Sequence, residues 1–369
     1  RPINMKWGPL GDIYLIDWHD QNPCHQAAPD SWDMTHGRIF RFQPKGMKRR
    51  PAEDLTKKTS VELVELLKEE NPYWYRTATR LLEERKAKAI MPKLVEQKLV
   101  EMTFPKKDPA PALRAIWALH RLGALDEDRL FTLMARDDAW VRSWLVRLIG
   151  ERGRVSDLGL KGLTDVAALD HAPQTQLALA GACQHLIKQD TLPILHNLMK
   201  HADKKDPCLP LMIWFAYEPR VMGKRDATLD WLKANATGNV LVTDEIVPRT
   251  LRRLADSRDP EALDAAVRFL VDVKDAKVRR RGLEGLLELG LKPRLLSEEL
   301  IETVLHTVAS VVHAASEDPA YELDAVVAQL AEALAATPPQ SVLLVGPSGV
   351  GKTAAFGELV SRAAAHRLG

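Results

Sequence analysis

Eight consecutive residues, Gly346, Pro347, Ser348, Gly349, Val350, Gly351, Lys352 and Thr353, have the types and spacing that hold the phosphates of a nucleotide. Glycines let backbone N–H groups turn inward around phosphate oxygens, and a following helix adds the positive end of its dipole. Lys352 is placed to reach the β- and γ-phosphates of ATP, and the Thr353 hydroxyl to ligate the accompanying Mg²⁺. The flanks agree, since residues 341–345 read as an apolar strand and residues 354–367 as a helix. A hydrolytic site also needs an acidic residue on a second strand for Mg²⁺ and a group that orients water. The short stretch after Thr353 supplies neither. The expectation is a truncated P-loop β-α unit that binds nucleotide without ATPase activity of its own.

The remaining chemistry-bearing residues are scattered. His19, Asp20, Cys24, His25, Trp32 and His36 fall in one loop, where packing is the expected role. Cys24, Cys183 and Cys208 form no Cys-x-x-Cys pair and no Cys-x-x-Cys-His haem attachment site; Cys183 and Cys208 are expected as small buried hydrophobes. His120, His185, His196 and His201 show no His-Glu-x-x-His spacing. His196 and His201 would lie about 140° apart around a helix. No catalytic residue is assigned.

The elements that must position these groups fall into zones. Residues 1–43 are turn-rich, with Gly8-Pro9-Leu10-Gly11-Asp12 leading into the strand-favouring run Ile13-Tyr14-Leu15-Ile16-Asp17-Trp18. Arg38-Ile39-Phe40-Arg41-Phe42 alternates with period two, as a half-buried strand does. Two strands need further partners to be stable. Residues 44–58 form a basic linker with no interleaved aromatic residues, so a solvated face is expected rather than a stacking platform.

From residue 59 to about 315 the reading is helical. Thr59 with Glu62 is a capping box, followed by Val61, Val64 and Leu67 on one face. Amphipathic segments then recur between similar turns: Asn71-Pro72-Tyr73-Trp74-Tyr75-Arg76, Asp108-Pro109 through Arg114, Asp137-Asp138-Ala139-Trp140-Val141-Arg142 and Asp275-Ala276-Lys277-Val278-Arg279. Each offers an Asn or Asp cap and an Arg in the first turns. The turns at Asp170 and Asp206 look like copies without the Arg. This irregular repeat is nearest to HEAT-type helical hairpins, which stack to share a core; an irregular all-helical domain is the alternative. Trp74, Trp117, Trp140, Trp144, Trp214 and Trp231 are expected to fill that core, and Arg279-Arg280-Arg281 to be an exposed charge run. The fold class is therefore mostly α: a HEAT-like α-solenoid (59–315), preceded by a partial β-propeller blade (1–43) and followed by the truncated P-loop unit (316–369).

Composition excludes other classes. With 46% hydrophobic and 28% charged residues the chain of 369 is a folded one. No apolar run reaches the ~18 residues of a membrane span. A formal charge of +2 argues against nucleic acid as a partner. The first residue is Arg1 and no secretion leader is read, so a piece of a longer protein is expected.

Two family resemblances add to this. Trp7-Gly8-Pro9-Leu10-Gly11-Asp12-Ile13-Tyr14-Leu15-Ile16-Asp17-Trp18, Cys24-His25 and His36-Gly37-Arg38-Ile39-Phe40-Arg41 resemble the closing part of a β-propeller. The propeller is that of the large membrane-bound dehydrogenases of planctomycetes and verrucomicrobia. Residues 71–76, 115–123 and 211–214 are similar to that family's helical repeats. The resemblance covers roughly residues 1–310 and implies a sugar-dehydrogenase-like propeller, HEAT repeats and often a c-type haem domain. Any haem or sugar-dehydrogenase cofactor would sit in missing parts of the parent protein. Residues 318–369 resemble the start of a Clp-type AAA+ ATPase module.

The first resemblance implies a scaffold region that docks a protein partner on its solenoid surface, in the periplasm or cell envelope. The second implies a cytoplasmic AAA+ ATPase whose repeats recruit substrate or partner. A junction near residue 315, joining parts of different genes, would reconcile them.

Overall fold

The turn Gly8-Pro9-Leu10-Gly11 folds the chain back on itself because Gly11 adopts a left-handed φ of 81°, which a side chain would resist. The Gly8 N–H donates to the Asp12 carbonyl at 2.7 Å and closes the turn. In a computed structural model, which describes residues 2–17, 36–43, 45–46, 53–89, 92–104, 108–135, 138–257 and 259–287, this turn joins strands β1 (Pro2–Trp7) and β2 (Ile13–Asp17). Strand β3 (Arg38–Phe42) adds to the far side of β2, giving an antiparallel sheet of order β1-β2-β3.

The register puts Trp7, Ile13 and Phe42 in one row and Met5, Leu15 and Phe40 in another, all on one face. The expectation that β3 is half-buried does not hold: all five of its residues are exposed. The alternation is real, but β3 is an edge strand, and among the described residues no second layer covers either of its faces. The sheet meets the helices through β1, where the Asn71 side-chain amide donates to the Gly8 carbonyl at 2.9 Å.

The rest of the described chain is helical, and the chain divides into two compact units, Arg1–Leu148 and Ile149–Gly369. In the first, a 3-10 turn (Leu55–Lys57) precedes α1 (Ser60–Glu65), α2 (Pro72–Ala87), α3 (Lys93–Met102), α4 (Ala110–Arg121), α5 (Glu127–Met134) and α6 (Ala139–Gly150). The Thr59–Glu62 capping box forms in both directions, at 3.2 and 2.7 Å. Asn71 accepts from the Tyr73 N–H, Asp108 from Ala110 and Asp138 from Val141, so each polar turn starts the next helix as its sequence suggests. Leu63, Val64, Leu67, Trp74, Leu82, Leu99 and Leu119 make the core.

The second unit holds α7 (Asp157–Leu169), α8 (Pro173–His185), α9 (Leu192–His201), α10 (Leu209–Val221), α11 (Arg225–Asn235), α12 (Val247–Asp256), α13 (Pro260–Asp272) and α14 (Ala276–Leu287). Here most helices meet the one two places along: α7 packs on α9, α8 on α10, α10 on α12, α11 on α13 and α12 on α14. The first unit does the same, with α1 on α3 and α2 on α4. Several polar ties span similar lengths of chain. Arg121 reaches Glu83, 38 residues back, and Arg129 reaches Glu96, 33 back. In the second unit the Gln189 amide bonds Val155 across 34 residues, and Arg253 pairs with Glu218 across 35. Others are shorter or longer: Arg85 reaches Ser60 across 25 residues and Arg114 the Leu67 carbonyl across 47.

Several side chains depart from expectation. Of the six tryptophans expected in the core only Trp74 is buried; Trp140 is 54% exposed and the other four are half-buried. The buried positions are filled mainly by Leu, Ile, Val and Ala. Cys208 is exposed because it precedes the first turn of α10, while Cys183 is buried. Arg279, Arg280 and Arg281 are not an exposed run: Arg279 donates to the Val273 carbonyl, Arg280 pairs with Glu284, and Arg281 with Glu284 and the Asp244 carbonyl.

The α12–α14 seam depends on glycine. A Cβ at Gly285 would lie 2.1 Å from the Pro248 carbonyl oxygen, which is backbone and cannot turn away. Gly285→Ala is expected to cost ~1–3 kcal/mol as the helices part. Gly181→Ala, on α8 where a Cβ meets nothing within 4 Å, is expected to gain ~0.5–1 kcal/mol. Urea midpoints of the two variants, which should move in opposite directions, check this.

Candidate functional site

The phosphate-loop residues Gly346, Pro347, Ser348, Gly349, Val350, Gly351, Lys352 and Thr353 lie outside the described residues, as do His19, Asp20, Cys24 and His25. His36 is described and exposed just before β3. The helical zone therefore carries the site that can be built from geometry. Perturbed titratable groups gather there on α8 to α11.

Three rings meet at its centre. His196 on α9 lies flat against Trp231 of α11, with centroids 3.9 Å apart and planes 6° from parallel. Tyr217 of α10 stands edge-on to His196 at 6.1 Å, and Trp214 is tilted against Tyr217 at 6.5 Å. The His196 Nε2 is buried and has no hydrogen-bond partner among the described residues. Burial holds this imidazole down at about 4, helped by the Lys200 ammonium and opposed by Asp190. It is a neutral ring at pH 7. Burial likewise pushes the Tyr217 phenol above its ordinary value, against the Thr228 hydroxyl.

One turn away lies a second buried group. Cys183 on α8 is driven up to about 12 by burial, against the pull of Arg220 and Thr191, so it stays a thiol. Arg220, 9% exposed, reaches across from α10 and donates to the carbonyls of Cys183 at 2.8 Å and Leu186 at 3.1 Å. Those carbonyls lie at the end of α8, where Leu186 also accepts from the Gln189 N–H at 3.0 Å, so the guanidinium caps the helix end and complements its dipole. The turn at Asp206, which lacks an early Arg, thus gains one three turns later.

A third cluster surrounds Asp244, within a single π-helical turn (Val242–Ile246) before α12. Its carboxylate pairs with Lys204, with Lys277 at 3.1 Å and with Arg281 at 3.6 Å. Burial raises its pKa, but the hydrogen bonds from Lys204 and Lys277 outweigh this and hold it below the usual carboxylate range. An extra residue in a helix turn often marks function. Here it aims one carboxylate at three cations and the network closes on itself.

Chemically these clusters pack and tie helices. A neutral histidine against two aromatic rings, a protonated thiol and a protonated phenol offer neither a base paired with a nucleophile nor a charged ligand set. Among the described residues no three His, Cys, Asp or Glu side chains lie close enough to hold a metal ion. His201, five residues from His196, turns instead to the His171 ring at 4.7 Å. Among the described residues no helix is long and apolar enough to cross a membrane. No protein-family model matches the chain, and no curated protein matches it.

The buried histidine makes stability depend on pH. Between 6.5, the ordinary value, and about 4 the unfolded chain holds a proton on His196 that the folded chain does not. Its contribution is therefore complete above 6.5 and disappears as the pH falls toward 4. The loss is expected to be on the order of 2 kcal/mol, allowing for solvent at a partly exposed ring. His196→Phe keeps the stacking on Trp231 and removes the proton. Its denaturation midpoint should change less between pH 7 and pH 4.5 than that of the parent protein.

Proposed function

We propose that residues 59–315 are a HEAT-like α-solenoid serving as the scaffold and protein-docking region of a propeller-bearing, dehydrogenase-like protein. What carries this reading is the packing of many helices on the helix two places along, with several polar ties spanning 33–38 residues. Such a stack gives each hairpin only neighbours to lean on and leaves long outer surfaces for a partner. The N-terminal sheet supports the propeller half of the reading, because an antiparallel meander of short strands is the kind of unit from which a blade is built.

The partner would meet α8 and α10, which pack together and carry exposed Leu177, Leu211 and Phe215. With Phe215 replaced by the photo-crosslinking residue p-benzoylphenylalanine, the full-length protein in its own cells should yield an adduct with one protein of defined mass. The same replacement at Leu158, 76% exposed on α7, should yield none. Absence of an adduct at 215, or equal adducts at both positions, contradicts the docking assignment.

A second reading, nucleotide binding by residues 346–353, rests on the complete loop motif and its strand and helix flanks. In it Lys352 neutralises the β- and γ-phosphates and Thr353 holds Mg²⁺, the first step of an AAA+-type ATPase whose repeats recruit its substrate. Titration with fluorescent ATP should show Lys352→Ala binding at least tenfold more weakly than the parent chain. Equal binding removes Lys352 from the phosphate site.

A further inference from the structure

Where β1 meets α2 there is an open groove of about 430 Å³, within the ~300–1,000 Å³ of small-molecule sites. One wall is the end of β1, with Lys6 and Trp7. The other is one face of α2, where Tyr73, Arg76, Thr77 and Arg80 follow at helical spacing. The Asn71 side-chain amide, donating to the Gly8 carbonyl, pins the end of the strand to the start of the helix.

The charge on this groove is unbalanced. Lys6, Arg76 and Arg80 line it, and no carboxylate does. Arg80 pairs with Glu84 one turn on, at 2.5 Å. Arg76 lies 5.9 Å from the Tyr75 ring, and among the described residues neither it nor Lys6 has a carboxylate in reach. The other large groove, between α11 and α13, is the opposite case. There Arg225 is paired with Asp226, Lys233 with Asp272 and Arg268 with Asp264. The β1–α2 groove also offers flat apolar surface, since Trp7 is 46% exposed and Tyr73 is half-buried, steadied by its edge-to-face contact with Trp74 at 5.2 Å.

We infer that this groove binds a small organic anion, an oxyanion carried on a flat aromatic body. The oxyanion sits between Lys6, Arg76 and Arg80, where a guanidinium fork suits phosphate or carboxylate, and the ring lies against Trp7. Thr77 adds a hydroxyl donor within the same wall. Phosphate and carboxylate share this chemistry, and two probes separate them.

The test is calorimetric titration of the full chain carrying Lys352→Ala, so that the phosphate loop adds no signal, with adenosine 5′-monophosphate and with indole-3-acetate. At least one should bind saturably, and the one that does identifies the headgroup. Adenosine, which has the ring without the anion, should not saturate. Arg76→Gln and Trp7→Leu should each weaken binding at least tenfold, and Arg147→Gln, remote on α6, should not. If Trp7→Leu lowers the melting temperature, Lys6→Gln and Arg80→Gln replace it, since both residues are solvent-exposed. Saturation by neither probe overturns the inference, as does binding that survives the loss of Arg76 and of Lys6.

Discussion

The helices of this chain are held in series by side-chain donors that reach the carbonyl ends of a neighbouring segment. A helix leaves its last carbonyls without internal partners, and burying them bare costs ~1–3 kcal/mol each. Arg85 donates to the Thr56 and Lys58 carbonyls at the end of the 3-10 turn, and Arg114 to Leu67 and Glu69. In the second unit Arg220 closes α8 and the Asn239 amide bonds Met199 in the last turn of α9. A guanidinium suits the task because it forks, stays charged and is drawn to the negative end of the helix dipole. Truncating such a residue takes a donor from two carbonyls at once, so its effect exceeds that of an ordinary surface Arg.

These ties act beside apolar seams, in which Leu195, Leu198, Ile213, Leu232 and Leu251 are fully buried. Where two helices come closest, Gly282 and Gly285 of α14 make room for Leu251, Leu270 and the Pro248 backbone. The larger aromatic groups divide: Trp74 and Tyr217 are fully buried, whereas Trp117 and Trp144 meet edge-to-face at 4.9 Å while remaining half-buried, with Arg147 over the Trp144 ring.

How much of this was legible in the sequence follows from the range of each interaction. The caps at Thr59, Asn71, Asp138 and Asp275 were readable because donor and acceptor lie within three residues. Strand β1 was also within reach, since Ile3, Met5 and Trp7 alternate with Asn4 and Lys6, but its turn-rich surroundings mask the pattern. Arg220 was not readable: nothing local to it names a carbonyl 37 residues away. The His196–Trp231 stack has the same cause, because it depends on how α9 and α11 are rotated about their axes. Of the phosphate loop the sequence carries the whole motif, and the described structure ends before it.

Near-neutral net charge does not mean an even field. In the second unit the cations are largely answered from within: Asp244 alone gathers Lys204, Lys277 and Arg281, and Lys224 is matched by Asp190. Such closed networks are screened, contribute little to long-range attraction and leave the surface to recognition by shape. In the first unit, Lys6 and Arg76 are left unanswered beside an exposed indole. Two unpaired cations beside aromatic walls give this groove a positive potential. A formal charge of +2 conceals that difference. The placement of charge on particular helices, rather than its total, sets how the field varies over the described surface.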